Sequence, residues 1–574
     1  DGPPFIDPGI WRTMERSFLT SSSSFEDLVS GDYFYVDKSL FIRDIVEMKK
    51  GLFLFTRPRR FGKTTNLDML DRFFNCRFDS RNLFDRLRIS GTDCYEQHLN
   101  RYCVIRLNFA NCDSPSHSAA YKRFSMMMSD AASGFRRIEH SPLLSSYERS
   151  LYRRMIDCEM DRAEFYSSVP LLCRWIENVY GKEVVILIDE YDKPVNSSVI
   201  HGYYRELTAD LRPFLESALK NNTHYRFAVM TGVSRITKES IFSGLNNLNE
   251  FDIFNSRYDE YFGFNEDEVE RLLDDTGLDA GLIDGIREYY DGYRFGDCDI
   301  YNPFSVMRCL EAAYYGKPGF EPHWVNSGDT QMIADALNRT SAEFRDEVLT
   351  LGIPSNRMRT RLNPYLDFRY LESPYEEDLE EAVLTLMVTS GYLKAIPAGD
   401  GEYDVMVPNT EVFMAFRLMA TRMRVVNERR MSTFIRSIYG LDSARATSDL
   451  NRILDGMSPR DHYDEYIHKI VLSTLLGYSG FRYQNELGSG DGFIDIYVES
   501  DGGGCGLLIE LKYTDDRKTD LEALSEKALE QIASKDYSRS IREPHIAVGI
   551  AFRGHTASVM IGHTVDRDSP DLSS

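Results

Sequence analysis

Two stretches of this chain have the residue types and spacing for phosphate chemistry. In "LFLFTRPRRFGKTT", Leu52 to Thr65, Gly62, Lys63 and Thr64 fill the last three positions of a phosphate loop, while Arg57 stands where the first glycine is usual. Such a loop needs backbone N–H groups turned inward at a helix start, an ammonium for the phosphates and a hydroxyl for a metal ion. Lys63 and Thr64 supply the last two, with Phe61 and Thr65 beside them. Arg57, Arg59 and Arg60 add charge beside the polyphosphate, and Pro58 offers another way to set the turn. In "VVILIDEYDKP" an apolar strand ends in Asp189, suited with Thr64 to hold Mg2+, and Glu190, suited to orient or deprotonate the attacking water. After a later strand come Thr231, Ser234 and Arg235. A polar group there would sense the γ-phosphate and Arg235 would neutralise transition-state charge, or Arg235 would simply pair with an acid at a helix start.

The second stretch is "FRYQNELGSGDGFIDIYVESDGGGCGLLIELKYT", in which strands 493–498 and 506–511 flank a glycine turn. If Val498 pairs with Leu507, Asp495 lies opposite Glu510, and Lys512 projects from the same sheet face as Glu510. Two acids and a lysine at one spot suit metal-assisted phosphodiester cleavage. Asp495, Glu510 and the Leu511 carbonyl would hold Mg2+ or Mn2+, Lys512 would steady the attacking hydroxide, and Glu486 is a further carboxylate. The competing reading is a cross-strand salt-bridge cluster on an exposed hairpin. Upstream, "YDEYIHK" sets Glu465 and His468 three apart on a helix, either a metal pair or a helix packed on the sheet. Cys103 and Cys112 are a further candidate ligand pair, against the commoner reading of buried thiols.

The elements that must position these residues follow from the pattern of apolar runs. Strands at 52–55, 104–109, 183–188 and 225–232 alternate with helices, which predicts a parallel sheet with helices on both faces. Residues 1–38 read as irregular, the strands stop beyond 255, and "DGYRFGDCDIYNPFS" reads as a turn-dense loop ending in a helix cap. The hairpin in "SGYLKAIPAGDGEYDVMVPN" lies between helices and suits a winged-helix module. The chain is expected to divide into an ATPase-like domain at 1–260, a helical domain at 261–373, winged-helix and connector helices at 374–457, and an α/β nuclease-like domain at 458–574.

Bulk properties exclude several classes. At 574 residues and 42% apolar composition the chain has ample material for packed cores, so disorder is expected only at the ends and in the Ser21–Ser24 run. No apolar run reaches the roughly 18 residues of a membrane span, and no basic-then-apolar leader follows Asp1, so a protein of the cytoplasm or nucleus is expected. Nine cysteines without a CxxC pair predict free thiols. The net charge of −23 argues against general coating of nucleic acid. Within 461–574 the count is 11 basic against 20 acidic residues, a balance of −9, so any such contact there must be local or supplied by a partner.

The segments "FEDLVSGDYFYVDKS", "RPRRFGKT", "ILIDEYDKP", "YFGFNEDEV", "DGYRFG" with "YNPFS", "SGYL" and "VPNTEV" together resemble the AAA-ATPase-like proteins that carry a PD-(D/E)XK-type nuclease domain at the carboxyl end. The resemblance runs from about Phe25 to Ala551. That family's phosphate loop also reads Arg-Pro-Arg-Arg-Phe-Gly-Lys, so the resemblance makes the missing glycine a family trait. It implies ATP as the nucleotide, and it matches Gln531, Lys535 and Tyr537 to a "QI..K.Y" pattern for phosphate or metal-bound water. The function expected is ATP-regulated, Mg2+-dependent cleavage of nucleic acid, DNA ahead of RNA, with a protein partner or a second copy. The alternative is an ATP-dependent switch or scaffold whose nuclease fold serves for binding.

Overall fold

A central parallel sheet is built from five short runs: β1 (Leu52–Thr56), β2 (Cys103–Asn108), β3 (Val184–Asp189), β4 (Phe227–Gly232) and β5 (Leu248–Phe251), in the order β2-β3-β4-β1-β5. In this computed structural model the described residues are 16–48, 51–236, 241–242, 245, 247–317, 319–324, 329–351, 356–372, 375–416, 428–454, 468–469, 472–473, 476, 483–489, 492–499, 505–535 and 544–565. β1, β3 and β4 are buried at every position, as strands covered on both faces must be, which is why they read as continuous apolar runs. One face carries Phe53, Phe55, Val185, Leu187, Phe227 and Val229 against Leu67, Leu70, Phe73 and Phe74 of the helix Lys63–Phe74. β2 separates the two phosphate motifs in sequence; in the sheet it is β4 that lies between β1 and β3, and β2 is at the edge.

Within 16–38, read as irregular, one short helix interrupts otherwise irregular chain. Ser24 accepts from Asp27 N–H and caps a helix, Phe25–Ser30, whose first N–H donates to Asp68 Oδ2 at 2.8 Å. Phe18 and Phe34 join a second core with the helices Glu266–Thr276, Leu282–Tyr290 and Pro303–Tyr314. Strands also continue past residue 255. The turn-dense motif holds a small hairpin, β6 (Tyr293–Phe295) with β7 (Cys298–Ile300), before Asn302 caps the helix Pro303–Tyr314. A three-stranded antiparallel sheet of β8 (Met358–Arg361), β9 (Lys394–Gly399) and β10 (Glu402–Met406), ordered β8-β10-β9, follows. No helix among the described residues is long and apolar enough to cross a membrane.

The chain divides into two compact units, Asp1–Ala415 and Phe416–Ser574. The second is built on a mixed sheet in sequential order, β11 (Tyr483–Ser489), β12 (Gly492–Val498), β13 (Gly506–Tyr513), β14 (His545–Arg553) and β15 (Thr556–Val565). β13 and β14 are parallel and the helix Leu521–Ser534 crosses between them. A Cβ at Gly549 would lie 2.1 Å from the Ser525 carbonyl, so glycine there lets helix and strand touch backbone to backbone. The helix Ser443–Leu454, read as a connector, packs on this sheet, with Asn451 exchanging two 2.8 Å hydrogen bonds with Ala557.

Candidate functional site

The phosphate-loop helix begins at Lys63 because Gly62 turns the chain at φ 78° and its carbonyl accepts from Asn66 N–H at 2.9 Å. The other left-handed residue of the loop is Arg60, at φ 68°. Position 57 has no positive φ, so the loop shape makes no demand for a glycine there. Phe61, fully buried, locks the turn from behind, its ring 4.9 Å from Tyr293 and 5.1 Å from Phe295 of the β6 hairpin.

Arg59, Arg60, Phe61, Gly62, Lys63, Thr64 and Thr65 all line one cavity of about 660 Å3, together with Glu190 and Asp192. Lys63 is 7% exposed and its Nζ donates to the Arg57 carbonyl at 2.9 Å and the Pro58 carbonyl at 2.7 Å. Burial pushes its pKa down, while Asp192, Glu190 and Asp189 pull it back up. Arg60 lies with its guanidinium 4.1 Å from the Phe304 ring centre and donates to the His323 carbonyl.

The acidic wall comes from the residues just past β3, Glu190 and Asp192. Asp189 is 1% exposed and accepts the Thr231 hydroxyl at 2.6 Å, so the polar group at the end of β4 serves the aspartate. Glu190 leaves the strand at φ 51° and lines the cavity. Asp192 accepts from Val233 N–H at 2.9 Å and Ser234 N–H at 2.8 Å. Burial pushes its carboxyl up to about 6, against those two N–H groups and Lys63.

Three expected members of this site are not among the residues that line the cavity: Asp189, buried at the end of β3, Arg57 and Arg235. Arg57 does not line the cavity. It is fully buried, donates to the carbonyls of Thr56, Phe251 and Tyr258 at 2.8, 2.9 and 3.3 Å, and lies 5.3 Å from the Phe262 and 5.2 Å from the Phe295 ring centres. Arg235 is not among the cavity residues either; it pairs with Glu250 and Asp252 and lies 3.9 Å over the Tyr365 ring. Charge type alone left open which way these guanidinium groups point. Conversely, sequence reading passed over Asp192, Lys193 and Asn196 in the wall, and the segment Leu19–Ser23 across the cavity, where a serine run gives no signal of its own.

In the second unit the β12–β13 register has Val498 opposite Leu507, as expected, with Ile496 opposite Ile509 next in line toward Asp495 and Glu510. Asp495 Oδ2 accepts Leu511 N–H at 2.9 Å, and Lys469 Nζ lies 3.4 Å from its Oδ1. Glu510 is 3% exposed, with Lys512 Nζ 3.7 Å from Oε1, and Oε1 also accepts Gln531 Nε2. Gln531 and Lys512 thus meet Glu510. Lys469 is an unforeseen member, although it stands next to His468 in "YDEYIHK". His468 itself is buried, stacked 4.1 Å from the Phe552 ring, with Nε2 2.7 Å from the Gly554 carbonyl. Glu465, Tyr537 and the side chain of Glu486 lie outside the described residues. Cys103 Sγ lies 3.6 Å from Cys76, and Cys112 is a separate buried thiol. No group of three metal-ligating side chains occurs among the described residues. The donor types nonetheless fit a hard divalent cation, since Asp495 and Glu510 present carboxylate oxygens from adjacent strands.

Residues 20–242 match the family model described as Predicted AAA-ATPase, AAA-ATPase-like, and residues 462–561 match that of the PD-(D/E)XK nuclease superfamily. A curated relative from Azotobacter chroococcum mcd 1, an uncharacterized protein in the vnfD 5' region, is 31% identical over 314 residues. The match covers 54% of each chain, so the present chain spans about half the length of that relative. Two solved structures share 10% identity: Drosophila ORC bound to AT-rich DNA and Cdc6, over 66% of this chain and 91% of that one at a TM-score of 0.18, and the Aeropyrum pernix ORC2 protein, over 67% and 92% at 0.21. Scores that low carry nothing about fold or partner. On the two family matches, the chain carries an amino-terminal AAA-ATPase-like domain and a carboxyl-terminal domain of the PD-(D/E)XK nuclease superfamily.

Proposed function

We propose that this protein binds and hydrolyses ATP in its first unit and thereby regulates a metal-dependent nuclease in its second. The observation that carries the reading is the meeting of the Arg59–Thr65 loop with Glu190 and Asp192 around a cavity of about 660 Å3, a volume suited to a nucleotide. Lys63 binds the phosphates, exchanging its two loop carbonyls for phosphate oxygens, and Glu190 takes the proton of the attacking water. Thr64 and Asp189 would hold Mg2+, which would offset phosphate charge.

In the second unit Asp495 and Glu510, with the Leu511 carbonyl and Glu486, would hold Mg2+ or Mn2+, which supplies an activated hydroxide for phosphodiester cleavage. Lys512 steadies the charge that develops at phosphorus, and Gln531 orients Glu510. The nuclease-like domain spans 458–574, the ATPase-like domain 1–260, and a helical domain 261–373 links to a winged-helix-like module at 374–457. Supporting that module, β9 and β10 form an antiparallel hairpin directly after the helix Glu376–Ser390, with β8 alongside. The partner is nucleic acid, DNA ahead of RNA, bound with the help of a second copy or another protein, because residues 461–574 carry a net −9.

A second reading has its own support. Both carboxylates are already engaged, Asp495 by Lys469 and the Leu511 N–H and Glu510 by Lys512 and Gln531, an arrangement that suits a nuclease fold kept for binding. The full chain incubated with Mg2+ or Mn2+ and end-labelled DNA or RNA distinguishes the two. Cleavage that Lys512→Ala abolishes supports the nuclease. Cleavage that survives the substitution rejects the site, and ATP turnover without cleavage of any nucleic acid supports the binding fold.

A further inference from the structure

The two places where a nucleotide-hydrolysing site of this kind could find its γ-phosphate contacts are already spent. Thr231, at the end of β4, gives its hydroxyl to Asp189, and Arg235 is held between Glu250 and Asp252. The cavity nonetheless has a polar end that the proposed reaction does not yet use. The helix Lys193–Ile200 starts three residues beyond Glu190, and both Lys193 and Asn196 line the cavity with it.

Asn196 is 7% exposed, and its Oδ1 has no hydrogen-bond partner among the described residues. A buried amide oxygen left without a donor is costly, and such groups persist where a ligand or water completes them. Its neighbours do not compete for that role, since the Ser197 and Ser198 hydroxyls donate to the carbonyls of Ser114 and Val195. Lys193 has a different signature. Its Nζ lies 3.2 Å from Asp113 Oδ2, a carboxylate whose side chain is 54% exposed, and an ion pair to so exposed a group is readily exchanged. Lys38 at the same cavity is gripped by both Glu268 oxygens and the Glu260 carbonyl, so it is not available in that way.

We propose that the first turn of this helix forms the terminal-phosphate end of the cavity, with Asn196 Oδ1 orienting the attacking water and Lys193 facing the γ-phosphate. The inference rests on the ATP-hydrolysis reading above. Water attacks the γ-phosphorus as the bond from phosphorus to the β–γ bridging oxygen breaks. One water proton passes to the Glu190 carboxylate, the other hydrogen is held by Asn196 Oδ1, and ADP departs with the bonding electron pair, leaving inorganic phosphate. Lys193, leaving Asp113, offsets the charge spreading over the γ-oxygens, the role for which Arg235 is not placed.

The test uses the full chain and compares ATP turnover with binding of ATP, ADP and the non-hydrolysable β,γ-imido analogue. Asn196→Ala is expected to lower kcat about 100-fold with affinity for the imido analogue within about threefold of the parent. Asn196→Asp, which keeps an acceptor at Oδ1, is expected to restore a large part of that loss. Lys193→Ala, at a partly exposed side chain, is expected to weaken ATP about tenfold more than ADP, with Lys193→Arg recovering part of the preference. Wild-type turnover in Asn196→Ala, or an unchanged preference for ATP over ADP in Lys193→Ala, overturns the inference while leaving the underlying reading intact, provided Lys63→Ala is inactive. A parent protein that binds none of the three nucleotides overturns the reading itself.

Discussion

Arg57→Gly restores the glycine that the phosphate loop lacks, and the structure predicts that it damages the protein. The guanidinium donates to three backbone carbonyls and lies between two aromatic rings at full burial. Burial pushes its pKa down to about 10, against Asp252 and Asp259, so it remains charged at neutral pH. Each hydrogen bond from a charged donor is worth about 1.5–3 kcal/mol, but desolvation of the guanidinium offsets much of that sum. Removal also leaves three carbonyls short of a donor, opens a void, and adds a glycine's unfolded-state freedom, roughly 1 kcal/mol. The net loss expected is about 3–5 kcal/mol. Trp11, Trp175 and Trp324 are the chain's three tryptophans and all lie within Asp1–Ala415, so denaturant unfolding followed by tryptophan fluorescence reports the first unit alone. ATP affinity should not improve, because the left-handed turns fall at Arg60 and Gly62. An unchanged unfolding midpoint, or tighter ATP binding, would refute the argument that side-chain packing and not glycine sets the loop.

Arg235→Ala strands Glu250 and Asp252, whose side chains are 5% and 3% exposed, and should cost about 3–5 kcal/mol by the same fluorescence assay while ATP affinity stays within about twofold. A large loss of ATP affinity in a stably folded variant would return Arg235 to the nucleotide site. Lys63→Ala removes the ammonium that donates to the Arg57 and Pro58 carbonyls and should weaken ATP by roughly 10- to 100-fold in equilibrium binding, the worth of a charge-assisted phosphate contact. Glu411 is buried and accepts from Trp324 N–H and the Ser305 hydroxyl at 2.8 Å, and burial pushes its carboxyl from 4.5 up to about 7 against those bonds. The folded state therefore holds the proton more tightly than the unfolded one, so this stabilisation is complete below about pH 4.5 and is lost as pH rises through about 7, a swing of roughly 3 kcal/mol. Glu411→Gln should flatten the stability profile between pH 5 and 8, and parallel profiles for parent and variant would reject the assignment.

What the sequence made legible follows the strength of each element's own signal. β1, β3 and β4 are buried throughout, so they appear as unbroken apolar runs that end at the loop, at Asp189 and at Gly232. β5 was invisible because Leu248–Phe251 is an edge strand with three of its four residues only half-buried. β6 and β7 are three residues each, too short for any periodicity, and their aromatic residues read as loop punctuation. In the second unit a glycine turn and alternating residues fixed the β12–β13 register in advance, whereas Lys469 reaches Asp495 only through tertiary folding. Spacing pointed to Lys63 and Glu190, which line one cavity, because the chemistry demands a lysine at a helix start and an acid at a strand end. Asn196, a single amide in "KPVNSSVI", carries no pattern until burial shows that its oxygen lacks a donor.

The motif blocks that make the chain recognisable around its phosphate loop are mostly packing, and this explains how the loop tolerates arginine at its first position. "YFGF" contributes Phe262 under the Arg57 guanidinium, and "DGYRFG" contributes Tyr293 and Phe295, which hold Phe61. Gly263 must lack a side chain because a Cβ there would stand 2.2 Å from Ile300 and 3.1 Å from Phe61, and its φ of 105° excludes most other residues as well. "YNPFS" places Phe304 beneath Arg60 and gives the Ser305 hydroxyl to Glu411 of "VPNTEV". In a glycine-rich cradle the backbone's own freedom permits the turn; here surrounding rings and the buried Arg57 impose it. A loop shaped in this way transmits its position to whatever those rings touch, so displacement of Arg60 by a bound triphosphate would be felt at Phe304 and the His323 carbonyl, and through the helix Pro303–Tyr314 at Glu411, four residues before the first unit ends at Ala415.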